Sequence, residues 1–559
     1  MNPKMKNYKY LLVIGVLIVS LSACRKSFLE REPLGSLSEQ GYFETDNAAM
    51  KLVADCYGPM LDGWGYTINK VALGDESVDN ADGGGSDPGD RPQTIEVGRG
   101  RPLASNPLLR EMWNNRYTAI GKCNLAIKNI EEQWDKLVAG KKPVSEEDKV
   151  RYIAEVKFLR AWYYFDLIWV FKEVPLVISP MPSETRLEKS PVEDLKAQIY
   201  SDLDAAINAA SFPKSSSLPR SEKGRANKDA AYALKARAAL FFAGLIESGK
   251  MQGNAVEEYT VAKNAAEQVV KNGGLSLLPD YQSLYKGDYQ VGPYSQEAIF
   301  TVLRSYLPAI GFGGDAFSIM NVGRNNVGGY GGNTPTRDLA SEFEEGDPRK
   351  MFTIISHNDI FRTSSGANEV HNYRGYYNDF NLQHSRKAFV PQAFRVQDNL
   401  TRSNWGPYWI RYAEVLLVYA EALLKTNGGN AEVAQYINEV RRRAFVTTSK
   451  VDEPAVFRQF SAGLAAVTPA EFETRYAVKP TDNLLKAIKH ERRVELALEG
   501  FRLYDLVRWN EYATTMKAFY TKYGFADKGV SAGENSWPFP IPQTEIDRSN
   551  GVLTQNSNY

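Results

Sequence analysis

"VRYIAEVKFLRAWYYFDLIWVFKEVPLV", residues 150–177, is the stretch on which the fold turns. Its apolar residues recur at three- and four-residue steps, and β-branched residues are few until its end, so it is expected to be a long helix stopped at Pro175. The same signature extends outward in both directions. Before it lie the amphipathic "NAAMKLVADCYGPML" (47–61) and a second helix over 108–134. After it, "PVEDLKAQIYSDLDAAINAA" (191–210) opens on Ser190-Pro191, a helix-start signal, and pairs with 150–177 as a hairpin. Residues 227–245 and 257–274 make another pair, the second ending on Gly273-Gly274 as helix C-caps prefer. Residues 410–428 and 430–445 make a third around a Gly-Gly turn, with the small residues of a tetratricopeptide repeat at packing positions. "LLKAIKHERRVELALEGFRLYDLVRWNEY" (484–512) closes the helical part. The chain is therefore read as mostly α: a tetratricopeptide-like scaffold of helical hairpins, mainly over 36–274 and 408–512.

Between these blocks the texture changes. From about 275 to 407 glycines cluster ("GFGGDAF", "NNVGGYGGNTPTRD"), Tyr and Asn are frequent, and long helical periodicity is lost. This is a large irregular, loop-rich region with short strands such as "EAIFTVLR", and loops of that length are usually functional. A second loop is read over Asp62–Pro92, rich in Gly and Asp. Its acids Asp75, Glu76, Asp79, Asp82, Asp87 and Asp90 fail the calcium-loop pattern, since Val78 would hold the first ligand position, and they are expected as a solvated run or as acceptors for hydroxyl groups.

The N-terminus addresses the compartment. Lys4, Lys6 and Lys9 precede an almost unbroken apolar run, Tyr10–Leu21, followed by the small residues Ser22 and Ala23. That is the layout of a secretory leader, and the apolar run is too short to span a bilayer. Leu21-Ser22-Ala23-Cys24 resembles the lipobox of bacterial lipoproteins, in which the chain is cut before the cysteine and the sulfur is acylated. Residues 1–23 are thus read as a lipoprotein signal peptide and Cys24 as the lipidation site. Several acyl chains at about 0.8 kcal/mol per buried CH₂ hold a protein at a membrane where one chain holds it only marginally.

Composition narrows the function. The full chain carries 67 basic and 67 acidic side chains. Loss of the leader removes three lysines and no acids, leaving a net charge of about −3. That gives no basic excess to neutralise phosphates, so nucleic acid is not an expected partner. Once Cys24 is acylated, Cys56 and Cys123 are the remaining cysteines, too few for a disulfide framework or a metal cluster. They read as small buried hydrophobes, with one disulfide between them open. "HERRVELALEG" (490–500) lacks the second histidine of a zinc motif, Val494 standing in its place. Its charges, with Arg502, Asp505 and Arg508, read as a structural ion-pair network. "GLIESGKM" (244–251) ends in Met251 where a phosphate loop needs Ser or Thr, and is expected as a helix end. His357, His371, His384 and His490 show no ligand spacing, and neither metal nor cofactor is expected.

Four blocks carry a family resemblance: "AEVKFLRAWYYFDLIWVFKEVPLV" (154–177), "RYAEVLLVYAEALLKTNG" (411–428), "HERRVELALEGFRLYDLVRWN" (490–510) and "PIPQTEIDRSNGVLTQNSNY" (540–559). In this order they resemble the SusD/RagB family of outer-membrane lipoproteins over nearly the whole mature chain. The resemblance implies residues 24–559 as a single SusD-like domain, four tetratricopeptide-type helix pairs and a ligand site on irregular loops. It also implies a non-catalytic role: a hinged lid at the cell exterior over a SusC-like TonB-dependent transporter, capturing oligosaccharides or, less often, peptides. One departure is that Cys24 is followed by Arg25 and Lys26, where members sent to the surface often carry acids.

A sugar presents one apolar face and a rim of hydroxyls, so its binding needs aromatic platforms and polar clamps. Burying ~100 Å² of that face gives about 2.5 kcal/mol, while millimolar affinity needs about 4 kcal/mol. Two or three rings are therefore required, and they must stand in loops rather than in the core. The candidates are Trp64 and Tyr66 in the first loop, and Tyr330, Tyr373, Tyr376, Tyr377 and Trp405 in the long irregular region. Trp162, Trp169 and Trp509 sit in helical stripes and are assigned to the core. Three alternatives remain on sequence grounds: a peptide-binding importer of the same build, a secreted glycoside hydrolase with two carboxylates across a cleft, and a purely structural helical adaptor.

Overall fold

The computed structural model describes residues 47–559 apart from 86–88, 139–143, 183, 286–289, 308–311, 314–315, 322–328, 357–359, 363–367, 371–382, 391–403, 405, 428, 449–456, 459–464 and 524–535. The scaffold helices are α1 (Ala48–Tyr57), α2 (Pro107–Glu132), α3 (Glu146–Phe171), α4 (Val192–Asn208), α5 (Lys228–Glu247) and α6 (Ala255–Asn272). After the loop-rich region, which contains the short helix α7 (Arg337–Glu342), come α8 (Tyr412–Asn427) and α9 (Asn430–Arg442). The series ends with α10 (Leu484–Glu495), α11 (Arg502–Arg508) and α12 (Tyr512–Lys522). Helix packs on helix in a continuous row: α1 on α2, α2 on α3, then α4, α5, α6, α8, α9 and α10 in turn. The three expected hairpins, α3–α4, α5–α6 and α8–α9, are all present.

Local chemistry starts these helices where the sequence allows. Asn106, Asn227, Asn254 and Asn483 cap α2, α5, α6 and α10 by accepting backbone N–H bonds from the first turn. Ser145 and Asp148 form a reciprocal capping box at the start of α3. Helix α3 is the pillar of the fold. Every residue from Phe158 to Phe171 is buried, so it is enclosed on all sides rather than amphipathic. Its three buried charges are each matched by a neighbour. Arg160 donates to Asp202 of α4 at 2.7 and 2.8 Å. Glu155 accepts from Arg225 at 2.5 and 3.2 Å, and Asp166 is bound by Lys70 and Arg116.

Two segments depart from the sequence expectation. Residues 63–76, expected as loop, form successive helical turns over Gly63–Ile68, Asn69–Val71 and Ala72–Glu76. Their glycines conceal an apolar face, with Ile68, Val71, Ala72 and Leu73 buried. Residues 484–512, expected as one helical block, are broken between α10 and α11, where Leu498 and Gly500 take positive φ. The break has a packing cause: a Cβ on Gly74 would meet the Gly500 carbonyl oxygen at 2.2 Å, and the Gly500 N–H donates to Asp75 at 2.6 Å. The two backbones need a bend there to touch.

The loop-rich region rests on a second hydrophobic cluster that includes Tyr281, Tyr285, Phe317, Phe352, Ile355 and Tyr408. Short antiparallel pairings stitch it together, among them Ile354–Ser356 with Gln383–Ser385. Strand Ala298–Phe300, anticipated within "EAIFTVLR", pairs with Ile410–Arg411 and joins the region to the start of α8. Among the described residues no helix is long and apolar enough to cross a membrane.

Candidate ligand-binding face

Two loops converge beside α10 and α11. Ala81–Asp82 pairs antiparallel with Thr334–Pro335. Beyond this ladder the strands close on glycine. Gly84 has φ +65°, and a Cβ there would stand 1.8 Å from the Gly331 carbonyl oxygen; a Cβ on Gly332 would stand 1.8 Å from Arg91 Nη1. Only glycine permits that approach. Arg91 Nη1 donates to the Gly83 carbonyl at 2.6 Å, and Glu76 Oε1 accepts from the Asn333 N–H at 3.0 Å. Thr336 donates through its hydroxyl to the Asp79 carbonyl (2.6 Å) and through its N–H to the Asn80 carbonyl (3.0 Å).

The base of this double loop is fixed to α10 and α11. Asp79 is held by Arg493 at 2.9 Å and by Arg502 at 2.9 Å through both carboxylate oxygens. Burial opposes its ionisation, yet the two guanidiniums outweigh it and hold the carboxyl well below the usual range. Asp75 has no guanidinium bound to it among the described residues; burial pushes it up to about 7, against the Gly500 and Asn80 hydrogen bonds and the weaker pull of Lys387. The acids expected as a solvated run thus divide. Asp75, Glu76 and Asp79 are interior struts, Asp82 is half-buried, Asp90 is exposed, and Asp87 lies outside the described residues. With their oxygens engaged beneath the loops, Asp75 and Asp79 do not form a carboxylate pair across a cleft.

The structure sorts the aromatic candidates. Tyr330 stands in the second loop, 42 % exposed, with its backbone N–H tied to the Ile319 carbonyl at 2.7 Å. Tyr66 is a correction: it is fully buried and offers no face to a ligand. Its hydroxyl donates to Asp166 (2.9 Å) and accepts from Trp162 Nε1 (2.5 Å), and the Arg116 guanidinium lies 3.9 Å from its ring centroid. The helical turns of 63–76 rotate it inward. Trp64 lies on the first of those turns. Tyr373, Tyr376, Tyr377, Trp405 and the lipidation candidate Cys24 lie outside the described residues. Trp162 and Trp169 are core, as expected, but Trp509 is a correction: it is half-buried and lines a cleft.

"HERRVELALEG" is the structural network expected, with most of its partners outside its own helix. Glu495 accepts from Arg411 and Arg443 at 2.5 Å each and from Arg349 at 3.0 Å. Glu491 pairs with Arg349 and with Arg441, and Glu499 with Arg411 and Lys387. Burial alone would raise Glu495; Arg443, Arg411 and Arg349 instead hold it far below the carboxylate range. The sequence reading missed Arg349, Lys387, Arg411, Arg441, Arg443 and Glu297, the last pairing with Arg411 and Arg443. A separate cleft of about 670 Å³ runs between α9, α10 and the residues around Tyr476. Two of its rings have a cation beside them, Trp509 with Lys489 at 5.0 Å from its centroid and Tyr476 with Arg475 at 5.2 Å. Among the described residues no cluster of three His, Cys, Asp or Glu side chains is arranged to hold a metal ion.

Row-packed helical hairpins carrying an irregular loop-rich region define a tetratricopeptide-like scaffold. The comparison with known families is direct. Residues 247–559 match the model described as "SusD family", and residues 104–240 match one described as "Starch-binding associating with outer membrane". The chain belongs to the SusD family. A relative from Formosa agariphila, "SusD-like protein P2", is 26% identical, with 99% of this chain and 100% of that protein covered. A solved SusD homolog from Bacteroides thetaiotaomicron superposes with a TM-score of 0.72 at 20% identity, covering 93% of this chain and 99% of that one. Surface glycan-binding protein A from Bacteroides thetaiotaomicron, solved in complex with laminarihexaose, superposes with a TM-score of 0.67 at 19% identity, covering 92% and 100%.

Proposed function

We propose that the chain is a non-catalytic glycan-binding lipoprotein of the outer membrane, facing the cell exterior, that passes oligosaccharides to a SusC-like TonB-dependent transporter. Family membership across both halves of the chain carries this reading, because one of the two matching models is described by starch binding and outer-membrane association. The laminarihexaose complex of a structural neighbour supports sugar over peptide as cargo. In this reading residues 1–23 are removed, Cys24 carries the anchor, and 24–559 acts as one SusD-like domain whose loops take the ligand.

Tyr330 supplies one platform on the glycine-closed double loop, and Trp64, Tyr373, Tyr376, Tyr377 and Trp405 are the proposed others. One ring yields about 2.5 kcal/mol at most, so at least a second must contribute. Titration calorimetry of the purified protein against glucan oligosaccharides tests the reading, with chromatography of the sugar afterwards. Heat of binding and unchanged sugar are expected. Shortened sugar would replace the reading with the hydrolase, and binding confined to peptides would replace the cargo class.

A further inference from the structure

Capture at the double loop leaves the cleft between α9, α10 and the residues around Tyr476 without a role. Its volume of about 670 Å³ is that of a small-ligand site. Its charge departs from that of the chain. The protein as a whole balances 67 basic against 67 acidic side chains. This lining sets six permanent cations, Arg441, Arg475, Lys486, Lys489, Arg493 and Arg502, against four carboxylates. All four acids are engaged from within. Glu342 accepts from Arg493 at 2.9 Å and lies 2.7 Å from His490 Nδ1. Glu344 is paired with Arg441 and Glu511 with Lys489, each at 2.6 Å. Asp482 accepts the Lys479 N–H at 2.7 Å. A cleft with a surplus of one sign concentrates ligands of the other.

Arg493 and Arg502 are further committed to Asp79. Two cations remain turned to solvent. Lys486, on the first turn of α10, is exposed and forms no ion pair among the described residues. The Arg475 side chain is 64 % exposed and pairs with Glu471, one turn back on its own short helix, at 2.7 Å. An exposed pair of that kind contributes little and yields readily to a ligand. The lining also supplies what a sugar needs besides charge. Tyr476 and Trp509 are half-buried, so each still offers ring surface to the cleft. Tyr476 is fixed by stacking on Phe445, centroids 4.3 Å apart. Asn483 is exposed; its Oδ1 accepts the Lys486 N–H at 3.1 Å, and its amide N–H₂ is left to donate.

We propose that this cleft is a second carbohydrate site, selective for oligosaccharides that carry carboxylates. Arg475 and Lys486 take the uronate carboxylate, Asn483 donates to a ring hydroxyl, and Tyr476 and Trp509 meet the apolar faces. The ligand class rests on the glycan-capture reading; the place and the charge selectivity do not. A ring with a cation beside it, present twice here at 5.0 and 5.2 Å, is the pairing that a sugar acid presents in reverse: an apolar C–H face next to an anion. An acidic peptide would satisfy the cations and leave the rings unused, so the sugar acid is the closer fit. The site shares no lining residue with Tyr330 or with the glycines that close the double loop, so the two sites are expected to fill independently.

The test is titration calorimetry of the full chain with oligomers of galacturonate, glucuronate and mannuronate, beside a neutral glucan and an oligoglutamate peptide of matched length. Heat is expected from at least one oligouronate, weakening as salt is raised because the contacts are exposed charges. An Arg475→Glu/Lys486→Glu double variant should bind that sugar at least tenfold more weakly with an unchanged melting temperature. A control reversal of the same size, Lys128→Glu/Lys136→Glu, changes two exposed lysines on α2 and just beyond it and should bind as the wild type does. No heat from any oligouronate, equal affinity in the cleft variant, or an equal loss in the control would overturn the proposal. Binding of the peptide as tight as that of the sugar would overturn the ligand class. Excess neutral glucan should leave the oligouronate in place; its displacement would put both sugars on one site and overturn the second. The glycan-capture reading at the double loop is judged separately, by the heat of the neutral glucan.

Discussion

Tyr66 and Tyr330 are both tyrosines in glycine-flanked segments, and the structure sends them opposite ways. Tyr66→Phe leaves Asp166 and Trp162 each short of a buried partner and should lower stability by about 1–3 kcal/mol, with glycan binding unchanged; thermal melting and calorimetry separate the two effects. Tyr330→Ala removes an exposed ring. It should weaken oligosaccharide binding about tenfold or more, equivalent to ~1.4 kcal/mol, while the melting temperature stays put. Asp75 gives a pH signature. Its carboxyl is raised to about 7 by burial. Between its unfolded pKa, about 4, and that value, the folded state keeps a proton the unfolded state has lost, so stability falls as pH rises through the window. Asp75→Asn should flatten this slope; melting curves from pH 4 to 8 that keep the full wild-type slope in the variant would remove Asp75 as the cause. At this scale the sequence was a partial guide. It offered Tyr66 as a loop ring because Gly63 and Gly65 suggested a loop, yet those glycines lie in helical turns with Ile68 and Leu73 packed inside.

The helical hairpins were legible because their signals are local: period, caps and terminal glycines. The bend between α10 and α11 was not. It exists because Gly74 touches Gly500, a contact between residues more than 400 positions apart in sequence that no window on the chain contains. The ion-pair network was half legible. The charge spacing in "HERRVELALEG" showed that a network exists, but its partners Arg349, Arg411 and Arg443 arrive from three other elements. That network joins the loop-rich region to α10. Glu495→Gln would leave Arg411 and Arg443 buried with one counter-charge fewer, and a loss of about 3–5 kcal/mol is expected, read by denaturant unfolding. Gly84→Ala tests the double loop. Its positive φ and the Gly331 carbonyl in the way should cost about 1–3 kcal/mol of local strain. Glycan affinity should fall although Tyr330 is intact; unchanged affinity would show that the loop closure does not position the site.

At the scale of the molecule, a row of packed helices supports the double loop, which the proposed function takes as a face that binds its cargo without covalent change. The buried charges of α3 and α10 are matched by partners from neighbouring elements, and Tyr330 is an exposed aromatic on a loop. The anchor belongs to this scale too. Cys24→Ala should move the protein from the membrane to the soluble fraction, and retention of the variant would refute lipidation as the tether. The most direct test of the whole account is a calorimetric titration of purified wild type and Tyr330→Ala, side by side, with a panel of oligosaccharides, each sugar recovered and sized afterwards. The account predicts heat for at least one sugar with wild type, a clearly weaker response from the variant, and sugar of unchanged length. Equal binding by both proteins, no heat from any sugar, or shortened sugar would contradict it.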